Sequence, residues 1–219
     1  YKRQMKDVPM SSQLPEGFSV PVILKREDPR DAFVSVKYDS LADLPQGAVI
    51  GSCSLRRRSQ LLAIRPDLIL KDLRGNVNTR LKKLEDGEYD AIILAAAGLK
   101  RLGFEDKITE FLPDTVSLPA VGQGAIGIEC VTANAQVRAI IEKLNDTDTA
   151  ICVSAERAFN SRLNGGCQAP IAGFAQLTDK GLYLRGLVGD EASGTIIAHE
   201  VYGNPEDAVK LGVELADYL

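Results

Sequence analysis

"AVIGSCSLRRRSQLLAIRPDLILKDLRGNVNTRLKKLEDGEYDAIILAAAGLKRLG", Ala48 to Gly103, is one pattern written three times. The short apolar runs "AVIG", "LILKDL" and "DAIILAA" each end in small or polar residues, and each is followed by residues at helical spacing. The first spacing predicts a helix from Leu55 to Ile64, which Pro66 ends; the second runs through Leu84 and closes at Gly87. Strands alternating with helices imply parallel pairing joined by crossover helices. In such sheets ligands sit beyond the carboxyl ends of the strands.

On either side the pattern changes. "FSVPVILK" (Phe18–Lys25) reads as a strand, and "REDPRDAFVS" turns into another. "LPAVGQGAIGIEC" (Leu118–Cys130) reads as a glycine-rich hinge leading into a strand. "ANAQVRAIIEKLND" spaces Val137, Ile140, Ile141 and Leu144 as one apolar helix face, and "TAICVSAERAFNSRL" predicts a second helix. From Ile171 the chain alternates apolar and polar residues around glycine turns, then ends on the helical "EDAVKLGVELADYL". That last part is α+β, distinct from the repeated unit.

The repeated unit is also where charge collects. Between Gly51 and Lys82 eight basic residues face two acidic ones, a local net charge of +6 in a chain whose total is −4. A basic patch confined to one segment of an acidic chain argues against general nucleic-acid binding. Each basic cluster falls where a strand gives way to a helix, where free backbone N–H groups already favour anions. Ser52 and Ser54 add hydroxyls there. With few acids nearby in sequence, Arg56, Arg57, Arg74 and Arg80 read as ligand-holding guanidiniums, able to grip carboxylates through two parallel N–H bonds. Arg58, Arg65 and Lys82 read as solvent-facing or ion-paired. Polycarboxylate, phosphate and sulfate ligands all fit this pattern.

The remaining chemistry is sparse. No apolar run is long enough for a membrane span. The cysteines Cys53, Cys130, Cys152 and Cys167 show no metal-ligand spacing, so neither a metal site nor a disulfide framework is expected. Cys130 and Cys152 read as packing residues. Cys167, in the glycine loop "LNGGCQAPI", is placed for accessibility. The one histidine, His199, stands in a strand-like stretch and reads as structural or solvent-facing. "MKDVP" (Met5–Pro9) sets Lys6 beside Asp7, a pair that alone reads as a loop ion pair or a cap. The sequence opens in mid-pattern without a methionine, as a chain whose beginning has been removed.

Seven motifs in order, "MKDVP", "GSCSLRRRSQ", "LRGNVNTRL", "YDAIILAAAGLKRLG", "SLPAVGQGAIGIEC", "AERAFNSRLNGGCQAPI" and "LYLRGLVG", resemble the porphobilinogen deaminase (hydroxymethylbilane synthase) family from Met5 onward. The resemblance implies a transferase that joins four porphobilinogen molecules head to tail with loss of ammonia, giving a linear tetrapyrrole. It implies a dipyrromethane primer held by a thioether to Cys167, and Asp7 as the catalytic carboxylate. Loss of ammonia leaves an electron-poor pyrrole, which a nearby carboxylate stabilises electrostatically. Pyrrole acetates and propionates would explain the +6 segment. Arg56, Arg57, Arg74 and Arg80 match residues that hold them, and Lys6, Ser52, Ser54, Arg101 and Gln123 match positions lining the same cleft. Cys53 stands in that row where the family has a hydroxyl.

The implied fold is α/β: two lobes like type II periplasmic binding proteins with mixed or parallel sheets, plus a small C-terminal α+β domain. Residues 1–28 and 122–143 would be a remnant of domain 1, 30–118 domain 2, and 146–219 domain 3 with a short end. A cytoplasmic or organelle-stromal monomer is expected, with no nucleic-acid or membrane partner, and the 219 residues alone are expected to be poorly active. The competing reading is a two-lobed anion-binding protein without catalysis, which would need neither Cys167 nor Asp7.

Overall fold

The computed structural model describes residues 5–7, 14–165, 169–190 and 194–219. Three sheets organise it. The first takes β1 (Met5–Asp7), β2 (Phe18–Ile23) and, far along the chain, the strand Ile126–Val131; both pair with that strand antiparallel.

From β2 the chain crosses through residues 24–30 into β3 (Asp31–Val34), and the repeated unit follows: β4 (Val49–Gly51), α1 (Leu55–Ile64), β5 (Ile69–Lys71), α2 (Val77–Glu85), β6 (Ala91–Ala95) and α3 (Ala96–Arg101). The α1 boundaries are those read from the sequence. In α2 the Asn76 side chain accepts the Thr79 N–H, satisfying one of the helix's free donors. β7 (Glu110–Leu112) completes a five-stranded sheet of order β5-β4-β6-β3-β7.

β4 pairs parallel with β5 and β6 as expected, but β3 runs antiparallel to both β6 and β7, so the sheet is mixed. The reason is connectivity. β3 enters from the first sheet rather than through a crossover helix, so nothing forces it to run with the others. The sheet is buried on both faces. Leu81, Leu84, Ile92 and Leu99 pack on one side, and Ile50, Leu61, Leu68 and Ile93 on the other.

Residues 113–125 return the chain to β8 (Ile126–Val131). The two crossings touch where Glu27 N–H donates to Gly124 O (3.2 Å). Gly124 has φ of +84° and a Cβ there would meet Glu27 O, so only glycine permits this approach.

The C-terminal part takes α4 (Ala135–Ile141), α5 (Thr147–Arg162), the antiparallel strands β9 (Ile171–Thr178), β10 (Gly181–Asp190) and β11 (Thr195–Gly203), and α6 (Ala208–Asp217). Phe159, Leu182, Leu184 and Leu215 fill its core, with Cys152 among them as a packing residue. α6 lies tight on α5 because Gly212 presents no side chain to Ala155 O. The α/β unit followed by a distinct α+β unit is the expected class.

The amphipathic helix α4 forms, but among the described residues none of its side chains is buried, and Ile140 is 71% exposed. His199 is exposed on β11 with its ring 4.5 Å from that of Tyr218, in keeping with a solvent-facing role.

Candidate functional site

The strand–helix junction at the end of β4 is built around an acid that the local sequence does not contain. Asp31, the first residue of β3, is fully buried. Its Oδ2 accepts from Arg56 Nη1 (2.8 Å) and Ser117 Oγ (2.7 Å). Its Oδ1 accepts from Arg57 Nη2 (2.7 Å) and Nε (3.0 Å), Gln123 Nε2 (2.9 Å) and Arg56 Nη2 (3.2 Å).

Arg56 is only 4% exposed, and its remaining terminal N–H groups go to Leu118 O (2.6 Å) and Gln123 Oε1 (3.3 Å). Arg57 is half-buried and gives one further N–H to Ile93 O (3.3 Å). Gln60, one turn along α1, clasps Leu118 through both its N–H (Nε2 to Leu118 O, 3.2 Å) and its C=O (from Leu118 N, 2.7 Å). One carboxylate thus ties β3, α1 and the return crossing together.

Burial drives the Asp31 carboxyl upward, but the charges of Arg56 and Arg57 and their hydrogen bonds overcome it, holding the group well below the usual carboxylate range. Burial lowers the Arg56 guanidinium, with Asp31 opposing and Arg57 adding to the shift. Two guanidiniums against one carboxylate leave one positive charge in excess, and Arg57 is its more exposed bearer.

A depressed carboxyl contributes its full stability above its unfolded value, about 4, and loses it progressively as pH falls from there through the lower folded value. The Asp31 carboxyl carbon resonance is therefore expected to stay constant from pH 7 down to about 4 by NMR. A titration midpoint within that range would show that the pairing does not hold.

The other sequence-predicted residues divide into three groups. Ser52 is buried, donates its N–H to Lys71 O (2.9 Å) and accepts Ser54 N–H on its hydroxyl (3.3 Å); Ser54 caps α1 in position without a side-chain bond; Cys53 is an exposed free thiol. These three share the junction with Arg56 and Arg57.

At the neighbouring junction Arg74 is exposed (81%) and 3.6 Å from Asp72, while Arg80 on α2 donates to Gly75 O (2.8 Å). Arg101, at the end of α3, donates to Gly124 O (2.5 Å) on the return crossing. Arg58 and Arg65 are ion-paired, with Asp72 and Asp67.

The backbone of Asp7 is registered to Ile126, three residues beyond Gln123, and that of Lys6 to Gly127; the side chains of Lys6 and Asp7 lie outside the described residues, as does Cys167. The described flank of the Cys167 loop is near the site. Pro170 O accepts from Gly189 N (2.8 Å), and Gly189 packs on Ser59 of α1.

Sequence reasoning missed Asp31, Ser117 and Gln60. A signal existed for the first: an aspartate heading a wholly buried strand requires a buried cationic partner.

Residues 3–139 match the family model described as "Porphobilinogen deaminase, dipyromethane cofactor binding domain". The chain belongs to the porphobilinogen deaminase family. Residues 150–219 match the C-terminal domain of porphobilinogen deaminase, so the small α+β unit carries the family signature too.

The cofactor of the matched domain is dipyrromethane, and the donors here fit such a group: guanidiniums and N–H groups at two strand ends suit carboxylates. Among solved structures, similarity extends to a putative methionine-binding lipoprotein from Bacillus subtilis subsp. subtilis str. 168 (17% identity over 61% of this chain and 63% of that one, TM-score 0.41). It also extends to a nutrient-binding protein from Burkholderia cenocepacia bound to methionine (14%, 58% and 61%, TM-score 0.38). The chain thus spans 63% of the length of the first of these.

Proposed function

We propose that this protein is a transferase that condenses four porphobilinogen molecules head to tail, releasing ammonia each time, to give hydroxymethylbilane for tetrapyrrole synthesis. The supporting observation is a match to a dipyrromethane-binding domain laid over a junction with one more guanidinium than its buried acid neutralises. The dipyrromethane, when bound, supplies the free pyrrole position from which the chain is built.

This chain's own residues supply attachment, grip and charge. Cys167 offers its sulfur for the thioether. Arg57, Arg74 and Arg80, with N–H groups of the α1 and α2 starts, hold acetate and propionate arms. Arg56 and Gln123 support Arg57 from behind, through Asp31. Asp7 provides the carboxylate beside the pyrrole nitrogen, stabilising positive charge as the amine leaves and relaying the proton from the ring carbon. No histidine is called on.

Intact mass of the purified protein, followed by peptide mapping, is expected to find a dipyrrole on Cys167, with the colour that an aldehyde reagent gives with pyrroles. An unmodified Cys167 in protein that binds carboxylates but leaves porphobilinogen untouched would instead favour the non-catalytic anion-binding reading.

A further inference from the structure

We propose that Asp31 is a positioning residue of the anion site, a buried carboxylate that aims Arg57 at the ligand's acids; this rests on the function proposed above. Six donor contacts converge on its two oxygens, from Arg56, Arg57, Ser117 and Gln123. A carboxylate offers about four lone-pair sites, so this one is saturated. Neither guanidinium can turn without giving up several bonds.

The consequence for Arg57 is directional. Its Nε–Nη2 edge is occupied by Asp31 and one Nη1 hydrogen by Ile93 O. A planar guanidinium carries five N–H groups. With three used, the second N–H on each terminal nitrogen has no acceptor among the described residues, and the plane fixed by Asp31 sets where those two point. Arg56, by contrast, spends its four terminal N–H groups inside the protein. Asp31 therefore makes two adjacent arginines unequal, one an internal brace and the other a two-pronged donor. The negative charge also lets two like charges sit side by side at a helix start, leaving a surplus of one rather than two.

The test compares wild-type protein with Asp31→Asn and Ser117→Ala, each first shown to melt cooperatively. Asn keeps the shape but turns an N–H₂ toward the guanidiniums; the serine change removes a single bond to Oδ2. Intact mass gives the share of chains carrying the dipyrrole, and KM and kcat for porphobilinogen are read on loaded protein.

Asp31→Asn is expected to load about tenfold less, and Ser117→Ala to load normally with KM raised about threefold and kcat within about twofold, because aim governs binding of the arms and not bond making. A folded Asp31→Asn that loads fully with wild-type KM overturns the assignment. If Asp31→Asn does not fold, a wild-type KM in Ser117→Ala overturns it. An Asp31 with only a structural role would lower the melting temperature and leave KM of the folded fraction unmoved. Wild-type protein carrying no dipyrrole mass overturns the functional reading first, and this inference with it.

Discussion

Replacing Glu156 by alanine is expected to lower the melting temperature by about 10 °C or more. Its carboxylate is fully buried on α5 and takes both terminal nitrogens of Arg26 (2.8 and 2.7 Å) together with the backbone N–H groups of Gly122 (2.7 Å) and Ala175 (2.9 Å). Those partners come from the outgoing crossing, the return crossing and β9, so one side chain pins three segments to the C-terminal core.

Burial pushes the Arg26 guanidinium down, and Glu156 more than offsets this, leaving it raised. Without the carboxylate, a largely buried cation and two buried N–H groups lose their acceptor. Removing one partner of a buried pair costs about 3–5 kcal/mol, a large part of a total stability of about 5–15 kcal/mol. Glu156→Gln keeps an oxygen for one backbone donor and is expected to fall between. A thermal melt followed by circular dichroism decides; a Glu156→Ala midpoint within about 3 °C of wild type would mean that the crossings are held by other contacts.

The fold was legible wherever the apolar period was long enough to read. β4, β5 and β6 with their helices repeat the same strand-to-helix switch within 56 residues, Ala48 to Gly103, and Pro66 and Gly87 punctuate it. β7 was not anticipated, because three residues, Glu110–Leu112, are too few to show a period of two. The direction of β3 was not legible either. Antiparallel placement follows from where the preceding crossing arrives, a property of the whole chain and not of "DAFV".

The cationic junction was visible as a charge excess, but not its internal pairing. Arg56 and Arg57 read alike because neighbouring sequence holds no acid for either, while their partner stands 25 residues before Arg56. Local charge counts reveal that a site exists; which of its members faces a ligand depends on contacts that no window contains.

That division of labour gives the second large effect. Arg57→Leu is expected to cut the rate of tetrapyrrole formation by about 10²–10⁴-fold, since two charge-assisted N–H bonds to ligand carboxylate are worth about 1.5–3 kcal/mol each. Its fold should survive, because Asp31 keeps Arg56, Ser117 and Gln123 as partners. Arg56→Leu is expected to fail differently. Gln123 Oε1 loses its donor in the interior, Leu118 O is left with Gln60 alone and Asp31 gives up two of its six contacts, so stability falls by about 3 kcal/mol or more before binding is measured. Arg57→Lys separates charge from geometry. A lysine restores the positive charge but cannot bond Asp31 and present a planar fork at once, so it should recover only part of the loss. Turnover of porphobilinogen, dipyrrole mass and melting temperature, taken together on the three variants, check this. If Arg57→Leu turns over at near the wild-type rate while Arg56→Leu stays folded and inactive, the two roles are the reverse of those the hydrogen bonds describe.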